Sequence, residues 1–278
     1  MNSGKLILYF LSVGNGHSTY IQFPNGQNAL IDINTYSGKH NPVQLMKNVG
    51  IKSLDYLIIT HPHRDHISGF AELVKNIAIR SFTWSPVDFT PDPIYDDWQA
   101  YENLKASLRY STRSIIEHTI GGTFLNGLLY GGVNVTYILP PNHTLLADAD
   151  NVNDRSLIIR LTYGNNKILI CGDTEETGWQ KIPNYKIKDI TLLLASHHGN
   201  NSGYCLEKLN MMSPKYVVIS AGEKTEADAD NKYRYLTSKW DNLRVLLGSA
   251  PTKRVFTTRT TALEAIFNSQ GLESIRET

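Results

Sequence analysis

Three histidines and an aspartate fall within one six-residue run, His61-Pro62-His63-Arg64-Asp65-His66. The run directly follows Leu54–Thr60, an apolar segment of strand length, and it precedes Ile67–Asn76, whose apolar residues repeat at helical spacing. Imidazole and carboxylate are the ligands that divalent zinc, manganese and iron favour in proteins. Because the whole chain has only 9 histidines, this density is not that of an ordinary surface loop, and we predict a metal site.

A tight turn between a strand and a helix can direct alternate side chains to opposite sides. We therefore expect His61 and His63 to bind one divalent ion. Asp65 and His66 are then expected to bind a second ion. Two neighbouring ions would lower the pKa of a shared water toward about 7, and Asp65 would also orient that nucleophile.

Two later segments end in the same residue types. Leu169-Ile170-Cys171-Gly172-Asp173-Thr174 has the pattern of a strand that ends at an aspartate, and we predict that Asp173 bridges the two ions. Ala195-Ser196-His197-His198-Gly199 ends another apolar strand and supplies a histidine pair. Only one of the pair needs to bind metal. We assign that role to His197 and expect His198 to act as an acid or to contact substrate, but the sequence alone does not separate the two assignments.

The rest of the chain alternates short apolar strands with helices. Asn25-Gly26 lies between the strands Ser18–Phe23 and Ala29–Ile33, which is a strong hairpin signal. Helices are predicted over Asn41–Val49 and Asp97–Tyr110. The other predicted elements are strands at Leu6–Leu11, Val133–Leu139, Ser156–Tyr163, Lys167–Cys171, Ile190–Ala195, Tyr216–Ser220, Arg244–Leu247 and Arg254–Thr258, a helix at Leu206–Met212, and a strand or short helix at Ala262–Asn268. Strands mixed with helices, with no linker between them, predict an α/β sandwich that forms a single domain over residues 1–278.

Length and composition exclude several classes of protein. The 278 residues are 41% hydrophobic and 19% charged, which is enough to bury a core. Lys+Arg is 27 and Asp+Glu is 26, so no global basic field draws the protein to nucleic acid, although a local basic groove is compatible with this balance. No apolar run approaches the ~20 residues that span a bilayer, and Leu6–Leu11 is short for a signal peptide and has no cleavage site after it. With two cysteines and no disulfide framework, we expect a cytoplasmic protein that does not enter a membrane.

Taken in order, the three strand-end clusters resemble the metallo-β-lactamase superfamily, whose signature is H-x-H-x-D-H, a later histidine, an aspartate and a final histidine. Over nearly the whole chain, the sequence is similar to the ComEC-like metallohydrolase subgroup of bacterial DNA-uptake proteins. That subgroup carries a Val-Gly-x-Gly turn, an Ile-Asp strand end, an Asn-x-Ser-Leu strand start, and His-His-Gly followed by Pro-Lys-x-x-x-Ile-Ser. The matching segments here are Val13-Gly14-Asn15-Gly16-His17-Ser18, Leu30-Ile31-Asp32, Asn153-Asp154-Arg155-Ser156-Leu157 with one extra residue, His197-His198-Gly199, and Pro214–Ser220.

The resemblance implies a four-layer αβ/βα sandwich of the metallo-β-lactamase type with two divalent ions, zinc first and manganese or iron as alternatives. It also implies a phosphodiesterase or nuclease that acts on DNA, RNA or nucleotides. A hydrolase of carboxylic esters, lactones or thioesters on the same metal pair is the second hypothesis. The third is a metal-stabilised, non-enzymatic component of a larger assembly, which the full ligand set disfavours because a structural site needs only four closed ligands.

The chain departs from the subgroup at several positions. The subgroup usually has Asp where this chain has His17, and often where it has His63, so this chain is closer to the full zinc-binding signature. Where the subgroup has a Gly-His-Pro turn, this chain has Gly222-Glu223-Lys224-Thr225-Glu226. The missing histidine weakens the phosphodiesterase interpretation unless Lys224 or Lys232 replaces it.

The third ligand of the family's first ion, usually a histidine, has rival candidates in this sequence. His143, in the polar loop Pro140–Asp154, has the better chemistry, and it is also a candidate acid for the leaving group. Asn153 has the better match to the subgroup, and we place it among the metal ligands, with Asp154 as its neighbour beside the metals. The sequence does not decide among the three.

Several nearby residues have two interpretations each. Asp32 either accepts a hydrogen bond from a ligand histidine or only forms a turn. Arg64 either anchors its loop or meets an anionic substrate. The glycines of Val13–Gly16 are expected to make a tight turn that lets the backbone approach the metal site. Three aromatic residues either stack on bases or pack a helix, with packing favoured: Tyr95, Trp98 and Tyr101.

Overall fold

The computed structural model describes residues 4–35, 40–85, 87, 89–109, 129–138, 151–222, 231–238 and 253–278. Its helices are α1 (Pro42–Asn48), α2 (Arg64–Ile67), α3 (Phe70–Asn76), α4 (Asp96–Arg109), α5 (Glu176–Lys181), α6 (Leu206–Met212) and α7 (231–238). Its strands are β1 (Leu6–Phe10), β2 (Thr19–Gln22), β3 (Asn28–Ile31), β4 (Ser53–Leu54), β5 (Tyr56–Ile59), β6 (Ala78–Ile79), β7 (Phe82–Trp84), β8 (Leu129–Tyr130), β9 (Val133–Ile138), β10 (Ile158–Tyr163), β11 (Asn166–Ile170), β12 (Leu192–Leu194), β13 (Tyr216–Ile219), β14 (Val255–Thr257), β15 (Leu263–Phe267) and β16 (Leu272–Glu277). In these parts of the chain, no helix is both long and apolar enough to pass through a bilayer.

Two seven-stranded sheets form the framework. The first has the strand order β16-β15-β1-β2-β3-β5-β7, and the second has the order β14-β13-β12-β11-β10-β9-β8. The strands β3, β5 and β7 run parallel in the first sheet, and β11 to β14 run parallel in the second. Residues that follow parallel strands meet at one edge of a sheet, which is where ligands bind in sheets of this kind. All three clusters singled out in the sequence follow such strands.

The two sheets pack face to face, and apolar side chains from both fill the space between them. Ile31 of the first sheet and Ile159 of the second are fully buried in this shared core. Helices α1, α3 and α4 cover the outer face of the first sheet around Phe70. Helices α5, α6 and α7 cover the outer face of the second sheet around Trp179. The layers therefore run helix, sheet, sheet, helix, which confirms the predicted αβ/βα sandwich.

Local signals explain where the helices near the histidine run begin and end. Asn41 caps α1, because its side-chain oxygen accepts two backbone N–H groups of the first turn. The helix predicted over Ile67–Asn76 is instead the pair α2 and α3, and α2 begins inside the histidine run. Gly69 separates the two helices with a φ of 93°, and a Cβ there would lie 2.5 Å from Cγ2 of Thr35. Only glycine fits this position, so the break is fixed by sequence.

The remaining predicted elements are found close to their predicted ends, with a few differences. The apolar run Leu54–Thr60 divides into β4 and β5 at Asp55, and Ala262–Asn268 contains the strand β15 rather than a helix. The sequence did not predict β6, β7, β8, β16, α5 or α7. The predicted strand Arg244–Leu247 and nearly all of the loop before Asn151 lie outside the described residues.

Candidate metal centre

Asp173, which follows β11, lies at the centre of the candidate metal centre. Its side chain is almost completely buried. Both carboxylate oxygens face histidine nitrogens, which come from two different chain segments. These nitrogens are Nε2 of His66 at 3.3 Å from Oδ1, and Nε2 of His61, His197 and His198 at 3.8, 3.9 and 3.4 Å from Oδ2. One carboxylate is therefore shared by the histidines that the sequence analysis selected.

The turn that presents Asp173 brings the two sheets close together. Gly172 has a φ of 55°, and a Cβ at this residue would lie 2.9 Å from side-chain atoms of both Ser156 and Thr60. The backbone N–H of Asp173 donates to Oγ of Ser156 at 2.9 Å. Glycine is therefore required both for the backbone conformation and for the close approach of the first sheet.

His61 and His63 form the first group of donor atoms, between the end of β5 and the start of α2. Nε2 of His61 and Nδ1 of His63 are 3.1 Å apart. On the other side of its ring, Nδ1 of His61 lies 3.2 Å from Oγ1 of Thr60 and 3.3 Å from Oγ of Ser156. Donation of the Nδ1 proton to these hydroxyls leaves the Nε2 lone pair facing His63. Burial and the neighbouring charge of His66 hold the pKa of His61 well below its ordinary value, so this ring is neutral, the form that binds metal.

Asp65, His66 and His198 form the second group together with Asp173. One donor atom from each of these four residues lies within 4.8 Å of the other three. Nε2 of His198 is 3.3 Å from Oδ2 of Asp65, and Nε2 of His66 is 4.0 Å from the same oxygen. Both Nε2 atoms are buried, and neither makes a hydrogen bond of normal geometry. A buried polar atom without a partner costs free energy, so the position that both nitrogens face is suited to a ligand.

Asp32, which ends β3, orients the second group. Its Oδ2 accepts hydrogen bonds from Nδ1 of His66 at 2.7 Å, from Nδ1 of His17 at 2.9 Å and from Oγ1 of Thr60 at 2.7 Å. Its Oδ1 accepts the backbone N–H of Thr60 at 2.7 Å. Because Nδ1 of His66 donates its proton to Asp32, the ring is oriented with Nε2 facing Asp173. The expectation that Asp32 accepts a hydrogen bond from a histidine of the run is confirmed.

His197 and His198 are presented by a left-handed backbone, with φ angles of 48° and 54°. Non-glycine residues in this region cost roughly 1–3 kcal/mol each and are concentrated at functional sites. His198 points inward, with Nδ1 at 3.0 Å from the carbonyl oxygen of Ser220, so its Nε2 faces the carboxylates. The side chain of His197 lies nearer the surface, with 23% of its area exposed. The structure brings both histidines to Asp173 but places only His198 in the second group.

Glu175 is a site residue that the sequence analysis missed. Its Oε1 lies 3.0 Å from Nδ1 of His197 and accepts a hydrogen bond from Nδ2 of Asn153 at 3.0 Å. Its Oε2 accepts one from Nδ2 of Asn151 at 2.9 Å. Burial alone raises the pKa of Glu175, but the amide hydrogen bonds and His197 outweigh it and lower the pKa, so this carboxylate is charged. Glu175 lies two residues after Asp173 in the sequence, but this spacing alone does not assign it a role.

The candidates for the remaining ligand lie in different places. Asn153 is beside the ring of His63, and its buried Oδ1 has no hydrogen-bond partner of normal geometry. Asp154 points away, and its Oδ1 accepts the backbone N–H of Glu175 at 2.9 Å where α5 begins. Of the two neighbours considered for this position, Asn153 therefore lies beside His63, whereas the carboxylate of Asp154 caps the start of α5. His143 lies outside the described residues.

The charges of the site fit divalent cations. Burial lowers the pKa of His66, but the charges of Asp173, Asp32 and Asp65 outweigh burial and hold this pKa well above its ordinary value. The same balance, led by Asp173, raises the pKa of His198 to about 10. Carboxylates thus stabilise positive charge at Nε2 of His66 and of His198, and a divalent ion would displace the protons there. Imidazole nitrogens combined with carboxylate oxygens are also the donors that zinc, manganese and iron accept.

The aromatic residues in and next to α4 and the glycine turn near the site were both considered in the sequence. Trp98 and Tyr101 are buried among the side chains beneath α4, so the packing interpretation holds for both. Tyr95 is only partly buried. A Cβ on Gly16 would lie 2.6 Å from the backbone oxygen of Asp65, so the glycine turn does bring the backbone against the site.

Comparison with known proteins places these features in a family. The family model of the metallo-β-lactamase superfamily matches residues 11–223, a span that includes every residue of both groups. ComE operon protein 3 of Bacillus subtilis (strain 168) is 26% identical over 247 residues, which cover 81% of this chain and 29% of that protein. Competence protein ComA of Neisseria gonorrhoeae is 22% identical over 214 residues, which cover 75% of this chain and 26% of that protein. The chain thus spans less than a third of the length of these curated relatives.

A solved structure agrees with the sequence matches. The metallo-β-lactamase fold protein YhfI from Bacillus subtilis superposes with a TM-score of 0.53 at 12% identity, covering 94% of this chain and 100% of YhfI. At this identity the superposition shows a common fold. Together with the family match over residues 11–223, it shows that the chain belongs to the metallo-β-lactamase superfamily.

Proposed function

We propose that this protein is a phosphodiesterase that cleaves nucleic acid or nucleotides with two divalent metal ions. The observation that carries the proposal is the position of Asp173, whose two oxygens face histidines of both donor groups at 3.3 to 3.8 Å. A carboxylate shared in this way is the bridging ligand expected of a two-metal hydrolase.

The two donor groups divide the proposed ligands. His61, His63 and Asp173 would hold one ion, with Asn153 beside them. Asp65, His66, His198 and Asp173 would hold the other. When bound, the ions supply water activation and neutralise charge on the substrate. Zinc is our first choice, with manganese or iron as alternatives, because the donors are imidazole and carboxylate.

The geometry supports roles for the histidine pair that are opposite to those first expected. His198 belongs to the second group, whereas Nδ1 of His197 is held by Glu175 at 3.0 Å and its ring is partly exposed. We therefore propose that His198 binds metal and that His197 holds the proton for the leaving group. The side chain of Asp65 is 39% exposed, so it can also orient a water on the open side of the site.

A phosphodiester substrate is supported by the family relationships. The curated relatives are a ComE operon protein and a competence protein, and this chain has the motifs of the ComEC-like subgroup given above. Of the two lysines considered as substitutes for the missing histidine, Lys224 lies outside the described residues, and Lys232 lies 5.7 Å from the ring centre of Tyr204. We also propose a reducing compartment such as the cytoplasm, because Cys171 and Cys205 are both buried and free.

The test is cleavage of labelled single- and double-stranded DNA and RNA, with zinc and with manganese. We expect metal-dependent cleavage that is abolished in His61→Ala and Asp65→Ala, while thermal unfolding shows that both variants remain folded. His40→Ala is a matched control, since His40 binds the backbone N–H of Ser12 instead of the site.

Two results would contradict the proposal. Hydrolysis of a p-nitrophenyl ester without cleavage of bis-p-nitrophenyl phosphate or any nucleic acid would identify an ester hydrolase. Inactivity on every substrate, with two metal ions retained in the purified protein, would identify a component that uses metal only for its structure.

A further inference from the structure

Arg64 lies on the open side of the metal centre, where the mechanism gives it no role. It is the first residue of α2 and stands between His63 and Asp65. Its side chain is exposed. The neighbouring side chain of Asp65 is 39% exposed, whereas His61 and His66 are fully buried, so the centre opens on the side of Arg64 and Asp65.

The ring of Tyr95 holds the guanidinium of Arg64 in place. Cζ of Arg64 is 5.3 Å from the centre of this ring, which is a cation–π distance. The ring packs on the outer core of the first sheet, and the carbonyl oxygen of Tyr95 accepts the N–H of Gln99 in the first turn of α4. Oδ1 of Asp97 accepts the N–H of Ala71 at 2.8 Å, which ties α4 to α3. The surface beneath Arg64 is therefore fixed, and the cation is oriented before any substrate arrives.

The hydroxyl of Tyr95 is within electrostatic reach of both Arg64 and Asp65. Burial and the charge of Asp97 raise the pKa of Tyr95 to about 12, while Arg64 opposes this and Asp65 adds to it. Tyr95 is thus near both the cation and a carboxylate of the centre. An anionic substrate that approaches this side meets the negative charge of Asp65, and Arg64 is the residue placed to compensate for it.

We infer that Arg64 is the anion-binding residue of the centre, and that its guanidinium binds the non-bridging oxygens of a phosphodiester beside the bond that is cleaved. Guanidinium suits this role because it forms two parallel hydrogen bonds to phosphate oxygens, which an ammonium cannot do. The identity of the anion rests on the proposed function. The requirement for a cation at this position rests on the geometry of Arg64, Tyr95 and Asp65.

The experiment compares metal-loaded wild type with Arg64→Gln, Arg64→Lys and Tyr95→Leu. Arg80→Gln is the matched control, because Arg80 is an exposed arginine that pairs with Asp55. It precedes β7 and so lies at the N-terminal ends of the parallel strands, away from the centre. Three quantities are measured: the KM and kcat for bis-p-nitrophenyl phosphate, the same constants for neutral p-nitrophenyl acetate, and the Kd of a fluorescent, cleavage-resistant phosphorothioate hexanucleotide by anisotropy. Metal content is measured for every variant.

We expect Arg64→Gln to raise the KM for the diester and the Kd of the hexanucleotide by about 10- to 100-fold, as for one lost charge-assisted pair. The KM for the diester and the Kd of the hexanucleotide in Arg64→Lys and Tyr95→Leu should lie between the values for Arg64→Gln and wild type. Arg80→Gln should have the constants of the wild type. The constants for the neutral ester and the metal content should be the same in every variant as in wild type.

The outcomes separate this inference from the proposed function. Cleavage of the diester with an unchanged KM and Kd in Arg64→Gln overturns the role of Arg64 and leaves the phosphodiesterase standing. An equal loss on the neutral ester, or loss of metal, also overturns it, since Arg64 would then only support the fold of the centre. Arg64-dependent binding of the hexanucleotide without diester cleavage supports the anion site and overturns the proposed function. A wild type that neither cleaves the diester nor binds the hexanucleotide overturns both.

Discussion

Asp32→Asn is the substitution that tests most directly how the centre is held together. It keeps the size of the side chain, removes a buried charge and turns one acceptor oxygen into an NH₂ donor. The wild-type carboxylate accepts two hydrogen bonds from Thr60, one from His17 and one from His66 at 2.7 to 2.9 Å. An amide nitrogen in either orientation would point at one of these donors, because both oxygens are in use.

The size of the effect follows from these contacts. At least one charge-assisted hydrogen bond is lost, which is worth about 1.5–3 kcal/mol, and one buried donor loses its acceptor, which costs about 1–3 kcal/mol. We therefore expect the free energy of unfolding of the metal-free protein to fall by about 3–5 kcal/mol. His66 also loses the partner that fixes its tautomer, so metal affinity should fall by about 10- to 100-fold.

Urea denaturation and competition with a chelator measure the two effects. Asp55→Asn is the control, because Asp55 accepts the backbone N–H of Asn28 and pairs with exposed Arg80 away from the centre. This control should cost about 1 kcal/mol and leave metal affinity unchanged. If Asp32→Asn unfolds at the urea concentration of the wild type and binds metal as tightly, the orienting role of Asp32 is refuted.

The pH dependence of the same variant has a definite sign. Burial alone raises the pKa of Asp32, but the charge of His66 and the hydrogen bonds from His17 and His66 outweigh burial and hold this pKa below its ordinary value. A carboxylate with a lowered pKa contributes stability above its unfolded pKa of about 3.9, and that contribution is lost as the pH falls through the folded pKa. The stability difference between wild type and Asp32→Asn should therefore be full at pH 6 to 7 and shrink below about pH 4.

Three further predictions test other parts of the site. His198→Ala should reduce the metal content from two ions to one per chain by elemental analysis, whereas His197→Ala should keep both ions and lose activity, and the reverse result would restore the first assignment of the pair. Gly172→Ala should destabilise the protein by about 2–4 kcal/mol in urea denaturation, because its left-handed φ and two 2.9 Å contacts both oppose a Cβ, whereas Gly50→Ala, with a φ of 78° and open space, should cost about 1 kcal/mol. Asp154→Ala should cost about 1–2 kcal/mol through the lost cap of α5 and leave metal affinity unchanged, so a loss of metal would return Asp154 to the centre.

The sequence predicted those parts of the molecule that depend on local patterns. The helix Leu206–Met212 has its predicted ends, and Asn41 marks the start of α1 because a side-chain cap is a local signal. β16 was missed because it is an edge strand with a charged, exposed sequence, and its conformation comes from pairing with β15. α5 was missed because it is only 6 residues long and contains Gly178.

The candidate site shows the same division between local and tertiary information. The residue types and strand ends selected Asp173 and the histidine run, because ligands in such folds follow parallel strands. The choice between His197 and His198 depends on two consecutive residues in the left-handed backbone conformation. The conformational preference of histidine does not predict this conformation. The role of Glu175 depends on contacts with Asn151 and Asn153 across the site, so it could not be found from spacing alone.

The donor atoms belong to segments that follow strands of both sheets, so bound metal ions would also connect the two sheets. His61 follows β5 of the first sheet and His66 lies in α2 just after it, whereas Asp173 and His198 follow β11 and β12 of the second sheet. Each ion would bind residues from both sheets, so the two ions would hold the layers together at one edge, and part of their binding free energy would become adhesion between the sheets. When metal is removed, we expect hydrogen exchange to accelerate first along the seam between the sheets, while the outer helices keep their protection. Metal affinity would then depend on how closely the two sheets pack at this edge.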